Sequence, residues 1–95
     1  MTTIKYTDHL KLRLKIRNFP EEYPALIYNA PEQTYFDKLE KTEISIKRLK
    51  YNDKLRNIMI VHERKNGQVE IITIHPVSDE KILNRVMNGR WIKNE

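Results

Sequence analysis

The chain has 95 residues, 39% hydrophobic and 33% charged, with a formal net charge of +5 and no cysteine. That bounds one domain, 1–95, with a modest core, and leaves out disulfides, thiolate zinc sites and a cysteine nucleophile. No apolar run approaches the ~18–20 residues needed to span a bilayer. The opening Met1-Thr2-Thr3-Ile4-Lys5-Tyr6 lacks the charged start and apolar core of an export signal, so a cytoplasmic location is expected.

Residues 7 to 17 send two messages. Leu10, Leu12, Leu14 and Ile16 alternate with mostly basic residues, which is strand periodicity. Thr7 or Asp8 is a good helix cap, and Leu, Lys and Arg are strong helix formers. Helix is favoured, with strand left open. In both geometries His9, Arg13 and Arg17 line up: all are odd-numbered on a strand, and on a helix they are spaced i, i+4, i+8.

Asn18-Phe19-Pro20-Glu21-Glu22 is a break and a new helix start. Tyr23, Leu26, Ile27 and Ala30 give that helix its apolar spacing, and Pro31 ends it. Strand-forming residues follow. Thr34 to Asp37 is a short strand, Lys38 to Thr42 a turn, and Glu43 to Lys50 a second strand. Tyr51 to Lys54 is a turn, and Leu55 to Arg64 a third strand. Asn66-Gly67 is the strongest hairpin signal in the chain, leading into a strand from Gln68 to His75. The continuous apolar centres of these last two strands place them centrally in a sheet. Pro76 stops the ladder. Ser78 or Asp79 caps a final helix with Ile82 and Val86 on its apolar side, Gly89 ends it, and Trp91 packs back on the core. The expected fold is α+β: two N-terminal helices, a four-stranded antiparallel sheet and a C-terminal helix.

On the last strand, Thr73 and His75 point one way and Ile72 and Ile74 the other, into the core, if the alternation is regular. A hydroxyl and an imidazole at a strand end suit phosphate binding or proton transfer. They are also ordinary surface residues.

The order His9-x-x-x-Arg13-x-x-x-Arg17, a break, a helix ending near Pro31, then Ile72-Thr73-Ile74-His75-Pro76 and a closing Gly89-Arg90-Trp91 resembles domain-of-unknown-function family 4258. The resemblance runs from Tyr6 to Trp91 and rests on order and spacing, since each motif is short. It implies kinship with the barnase, EndoU, colicin and RelE-like group of small ribonucleases, many of them toxins. It further implies a sheet with helices on one face and a cleft near the first helix and last strands. His9 and Arg13 match the first motif, and Thr73 and His75 the last strand.

Metal-free RNA cleavage needs a base for the 2′-OH, a cation for the phosphorane and an acid for the leaving oxygen. His9, Arg13, Thr73 and His75 supply those residue types and are the candidate catalytic set. Histidine transfers protons near neutrality, and arginine grips phosphate bidentately. Arg17, Arg48, Lys50 and Arg56 are the candidate nucleic-acid contacts, in keeping with a pI near 9.5. Each has a plainer reading: His75 as a polar strand end, Arg13 as an ion-pair partner of Glu21, Glu22 or Asp37, the strand lysines and arginines as a solvated edge. His62 reads as a sheet residue, and the tyrosines as the rim of the core. The histidines lack a metal-binding spacing such as H-E-x-x-H, and no metal or cofactor is expected.

Three functions fit: a small metal-independent endoribonuclease of toxin type, a non-catalytic RNA- or DNA-binding module, or a protein-interaction domain. RNA is the expected partner. The ribosome, an antitoxin protein and a second copy of the chain are further candidates, and a membrane is not.

Overall fold

A computed structural model of the chain describes residues 3–94; Met1 and Thr2, part of the stretch scanned for an export signal, lie outside the described residues, as does Glu95. Strand β1 (Ile4–Tyr6) leads into helix α1 (Asp8–Arg17) and helix α2 (Tyr23–Asn29). Strands β2 (Gln33–Asp37), β3 (Thr42–Tyr51), β4 (Lys54–Lys65) and β5 (Gln68–Pro76) follow, then α3 (Asp79–Met87) and β6 (Trp91–Lys93). The sheet has the order β1-β5-β4-β3-β2-β6.

Residues 8–17 are helical despite their alternating pattern. Thr7 caps α1 by accepting the Leu10 amide, and Asn18 ends it in the left-handed region at φ 55°. The alternation arises from two pairs spaced i, i+4: Leu10 and Leu14 are buried, while Leu12 and Ile16 are exposed on another flank.

The four-stranded antiparallel expectation is overturned. The sheet is six-stranded and mixed, because three-residue strands at both ends of the chain join its edges. β1 runs parallel to β5, pairing Ile4–Tyr6 with Val69–Ile71, and β6 pairs antiparallel with β2. Neither strand is long enough to show a period in the sequence. The helices also cover both faces of the sheet, where the resemblance implied one. Leu10 and Leu14 of α1 and Ile27 of α2 pack on Ile58, Ile60, Val69, Ile71 and Ile74. Ile82 of α3 packs with Tyr35, Ile44, Ile46, Met59, Val77 and Trp91 on the other face. Alternation along β4 divides the two cores: Ile58 and Ile60 point to α1 and α2, and Met59 to α3. β4 and β5 are interior strands, as their apolar centres predict.

Both long hairpins turn on two residues with positive φ, Asn52-Asp53 (52° and 63°) and Asn66-Gly67 (52° and 76°). Those are the conformations that match the strand twist. β5 departs from regular alternation. Val61 pairs with Thr73 but His62 pairs with Ile71, so Ile72 is a bulge. Val69, Ile71 and Ile74 therefore share the α1 face. The regular pattern had placed Ile72 with Ile74; instead Ile72 is half-buried and Ile71 fills the core.

β6 is tied down by Asp37, 3% exposed. Its carboxylate accepts from Arg90 Nε (3.1 Å), Trp91 Nε1 (3.3 Å), and the amides of Leu39 (2.9 Å) and Glu40 (3.1 Å). Burial works to raise the Asp37 pKa, but the Arg90 hydrogen bond, the Glu40 amide, the Arg90 charge and the Leu39 amide together hold it below its ordinary value. Among the described residues, no helix is long and apolar enough to cross a membrane.

Candidate functional site

β1 covers β5 only over Val69–Ile71. Beyond that point α1 takes over the edge: the Thr7 hydroxyl donates to the carbonyls of Ile71 (3.2 Å) and Ile72 (3.1 Å) and seats the helix there. From this seat α1 runs along β5 with Leu10 and Leu14 turned into the core. His9, Arg13 and Arg17 ride on a different flank. Arg13 Nε donates to His9 Nε2 at 3.4 Å, a long bond that uses the lone pair of that nitrogen. Arg13 makes no ion pair with Glu21, Glu22 or Asp37; Asp37 belongs to Arg90.

Thr73 and His75 lie on the α3 face of β5, opposite Val61 and Met59. The His75 ring is half-buried, and its Nδ1 lies 3.2 Å from the Pro76 carbonyl. A carbonyl only accepts, so Nδ1 carries the proton and Nε2 holds the lone pair. Burial lowers the His75 pKa below its ordinary value of 6.5; the Pro76 bond opposes this, and the charges of Lys81, Arg17 and Arg13 reinforce it. His75 is thus a neutral imidazole in a field of cations drawn from α1 and α3. Arg17 closes α1: its carbonyl accepts from the Tyr51 hydroxyl (2.7 Å), while its Nε is buried without a hydrogen-bond partner.

The structure therefore brings His9 to Arg13, and Arg13 and Arg17 into the field of His75. It does not gather the other basic candidates into one patch. Arg48 and Lys50 pair with Asn57 and Leu55 on the α3 face of the sheet, whereas Arg56 pairs with Leu49 on the opposite face. Arg48 and Arg56 still meet at a groove of about 360 Å³ beside Pro76–Asp79, one residue beyond His75. Lys50 stands apart, its carbonyl held by the Tyr23 hydroxyl (2.6 Å).

His75 lines a cavity of about 180 Å³ beneath α3. Lys81 and Arg85 of α3 line it too, one helical turn apart, and neither was marked by the sequence. Their i, i+4 spacing was legible, but which face of α3 met the sheet near His75 was not. Thr73 is not among its walls, and His9 stands exposed on α1. A larger groove of about 620 Å³ follows the Lys11, Leu14 and Lys15 flank of α1 and holds none of the candidates.

His62 is structural in its surroundings. It is buried on the α1 and α2 face, 2.8 Å from Ser45 Oγ, with Tyr28 edge-on at 5.0 Å. Tyr6, Tyr23, Tyr28 and Tyr51 rim the core. Among the described residues, no group of three or more His, Asp or Glu side chains is placed to hold a metal ion. No family model, curated protein or solved structure matches the chain.

Proposed function

We propose that the chain is a small endoribonuclease that cleaves RNA through its own 2′-OH, without a metal, and acts in the cytoplasm as a toxin-type effector. The single observation that carries this reading is His75: a half-buried imidazole held neutral chiefly by burial, with its Nδ1 proton anchored on the Pro76 carbonyl, its Nε2 lone pair uncommitted, and the charges of Lys81, Arg17 and Arg13 within electrostatic reach. The resemblance to family 4258 supports the same reading, as does the basic balance of the chain.

In this mechanism His75 Nε2 takes the proton of the 2′-OH. The freed oxygen bonds to phosphorus, and Arg13 and Arg17 stabilise the charge that builds on the phosphorane. The bond from phosphorus to the 5′-oxygen breaks, and His9 returns a proton to that oxygen. Phosphate drawing the Arg13 guanidinium to itself frees His9 Nε2 to carry that proton. The products are a 2′,3′-cyclic phosphate and a 5′-hydroxyl. Thr73 is the candidate hydrogen-bond donor to a phosphate oxygen. RNA is the partner of this reading, alone or on the ribosome, and an antitoxin protein is its natural inhibitor.

A second reading, RNA binding without turnover, draws on one observation: the His9 nitrogen that the acid needs is occupied by Arg13. Cleavage of a mixed-sequence RNA in EDTA separates the two. Wild type is expected to leave 2′,3′-cyclic phosphate ends, and His75→Ala to lose about 10²–10⁴-fold in rate. Arg13→Ala is expected to lose about 10²–10³-fold. Salt-sensitive binding without cleavage, weakened by Arg13→Ala and untouched by His75→Ala, selects the binding module. Absence of both, on free RNA and on translating ribosomes, overturns the proposal.

A further inference from the structure

The cavity beneath α3 has a make-up that phosphate chemistry alone does not use. Its floor is apolar, formed by Ile44, Met59, Val61 and Trp91. Its rim is cationic, with Lys81 and Arg85 beside His75. Among the described residues, neither cation has a carboxylate within ion-pairing distance; Asp37 and Glu40, which also line the cavity, face Arg90 instead. One wall is Thr42, 8% exposed, whose hydroxyl is buried with no hydrogen-bond partner. An apolar lining that includes an indole ring, an unmade hydrogen bond in the wall and two unpaired cations are the complement of one ligand class: a planar heterocycle with polar edges, carried on an anionic chain. At about 180 Å³ the space is well below the size of a pocket for a drug-sized ligand. It suits a single base, and a duplex cannot enter it.

We propose that this cavity receives one unpaired base of the RNA strand whose scissile phosphate lies at His75, with Thr42 meeting the edge of the base and Lys81 and Arg85 holding the adjoining phosphates. This rests on the ribonuclease reading and names its substrate class: single-stranded RNA, or a duplex with an unstacked base at the cleavage step. The strand then crosses the end of β5 beyond β1, with α1 cations on one side of the phosphate and α3 cations on the other.

Trp91 is the chain's one tryptophan, so its emission reports on the cavity without a label. The probe is a 2′-O-methyl oligonucleotide, which binds but cannot be cleaved, followed by polarisation for binding and by Trp91 emission for occupancy. Saturable quenching is expected with the single strand, and at least about tenfold weaker binding with the matching duplex. Thr42→Val keeps the side-chain shape and removes the hydroxyl. It is expected to weaken single-strand binding about 3- to 10-fold while leaving the fold at least as stable, since an unpartnered hydroxyl is lost. Lys81→Ala and Arg85→Ala are each expected to lower the slope of log K against log salt by about 0.7. Binding with unchanged Trp91 emission and no effect of Thr42→Val overturns the base pocket and leaves the ribonuclease reading standing. Equal binding and quenching by the duplex overturns it too. No binding of any RNA removes both.

Discussion

Two histidines in this chain are pushed the same way for different ends. Burial lowers the pKa of His62 below its ordinary value of 6.5, against the pull of Glu43, and burial with neighbouring cations lowers that of His75. For a general base this sets the acid limb of activity. As the proposed base, His75 must be neutral, so the acid limb of the pH profile of cleavage is expected to lie below 6.5. An acid limb centred above that value argues against His75 as the base. For stability the sign follows from proton counting. The unfolded chain takes up protons at these two rings as pH falls below 6.5, while the folded chain resists. Stability is therefore intact above that value and is lost as pH falls through the lowered folded pKa. His62→Gln removes one of the two contributions. The difference in urea midpoint between about pH 7.5 and about pH 5 is expected to shrink in that variant, and an unchanged difference rules out His62 as a source.

Among the elements, the two terminal strands decide the shape of the sheet and were the least legible. β1 and β6 are three residues each, and a three-residue strand shows no period against its flanks. What holds β6 is Asp37, a residue that the sequence offered only as one of three partners for Arg13. Asp37→Ala leaves Arg90 and Trp91 Nε1 without their acceptor. It is expected to cost about 2–4 kcal/mol, measured by urea unfolding. A loss under about 0.5 kcal/mol means β6 is held by apolar packing alone. The longer elements were legible because several signals agreed at each: a Ser78 cap on α3, an Asn66-Gly67 turn, and β-rich residues in β4 and β5. α1 shows what happens when signals disagree. Its alternation suggested a strand, yet the cap and the helix-forming leucines, lysines and arginines prevailed.

Across the whole molecule, the candidate residues of α1 and β5 were visible as types and spacings, but their meeting was not. His9 and Arg13 come together because they lie one helical turn apart, which any helix ensures. The charge of Arg17 acts on His75 because β1 is short, so that α1, not another strand, flanks the end of β5. Lys81 and Arg85 join them because α3 covers the second face of the sheet, a layer that the resemblance did not imply. Arg48 and Lys50 share one face of β3, but Arg56 pairs with the intervening Leu49 and so lies on the other face, which keeps the three from forming one patch. Composition can count such charges but cannot sort them between faces.

The bulge at Ile72 has a further consequence. It acts as a phase shift within β5: upstream the odd positions face α1, and downstream the even ones do. Removing Ile72 itself would leave Ile71 next to Thr73 in regular alternation, with Val69, Ile71 and Ile74 still toward α1 and Thr73 and His75 still toward α3. Removing another residue of β5 while the bulge stays would instead turn the side chains on one side of the gap to the wrong face. The bulge thus marks a position where the strand can be shortened without moving either the core or the candidate site.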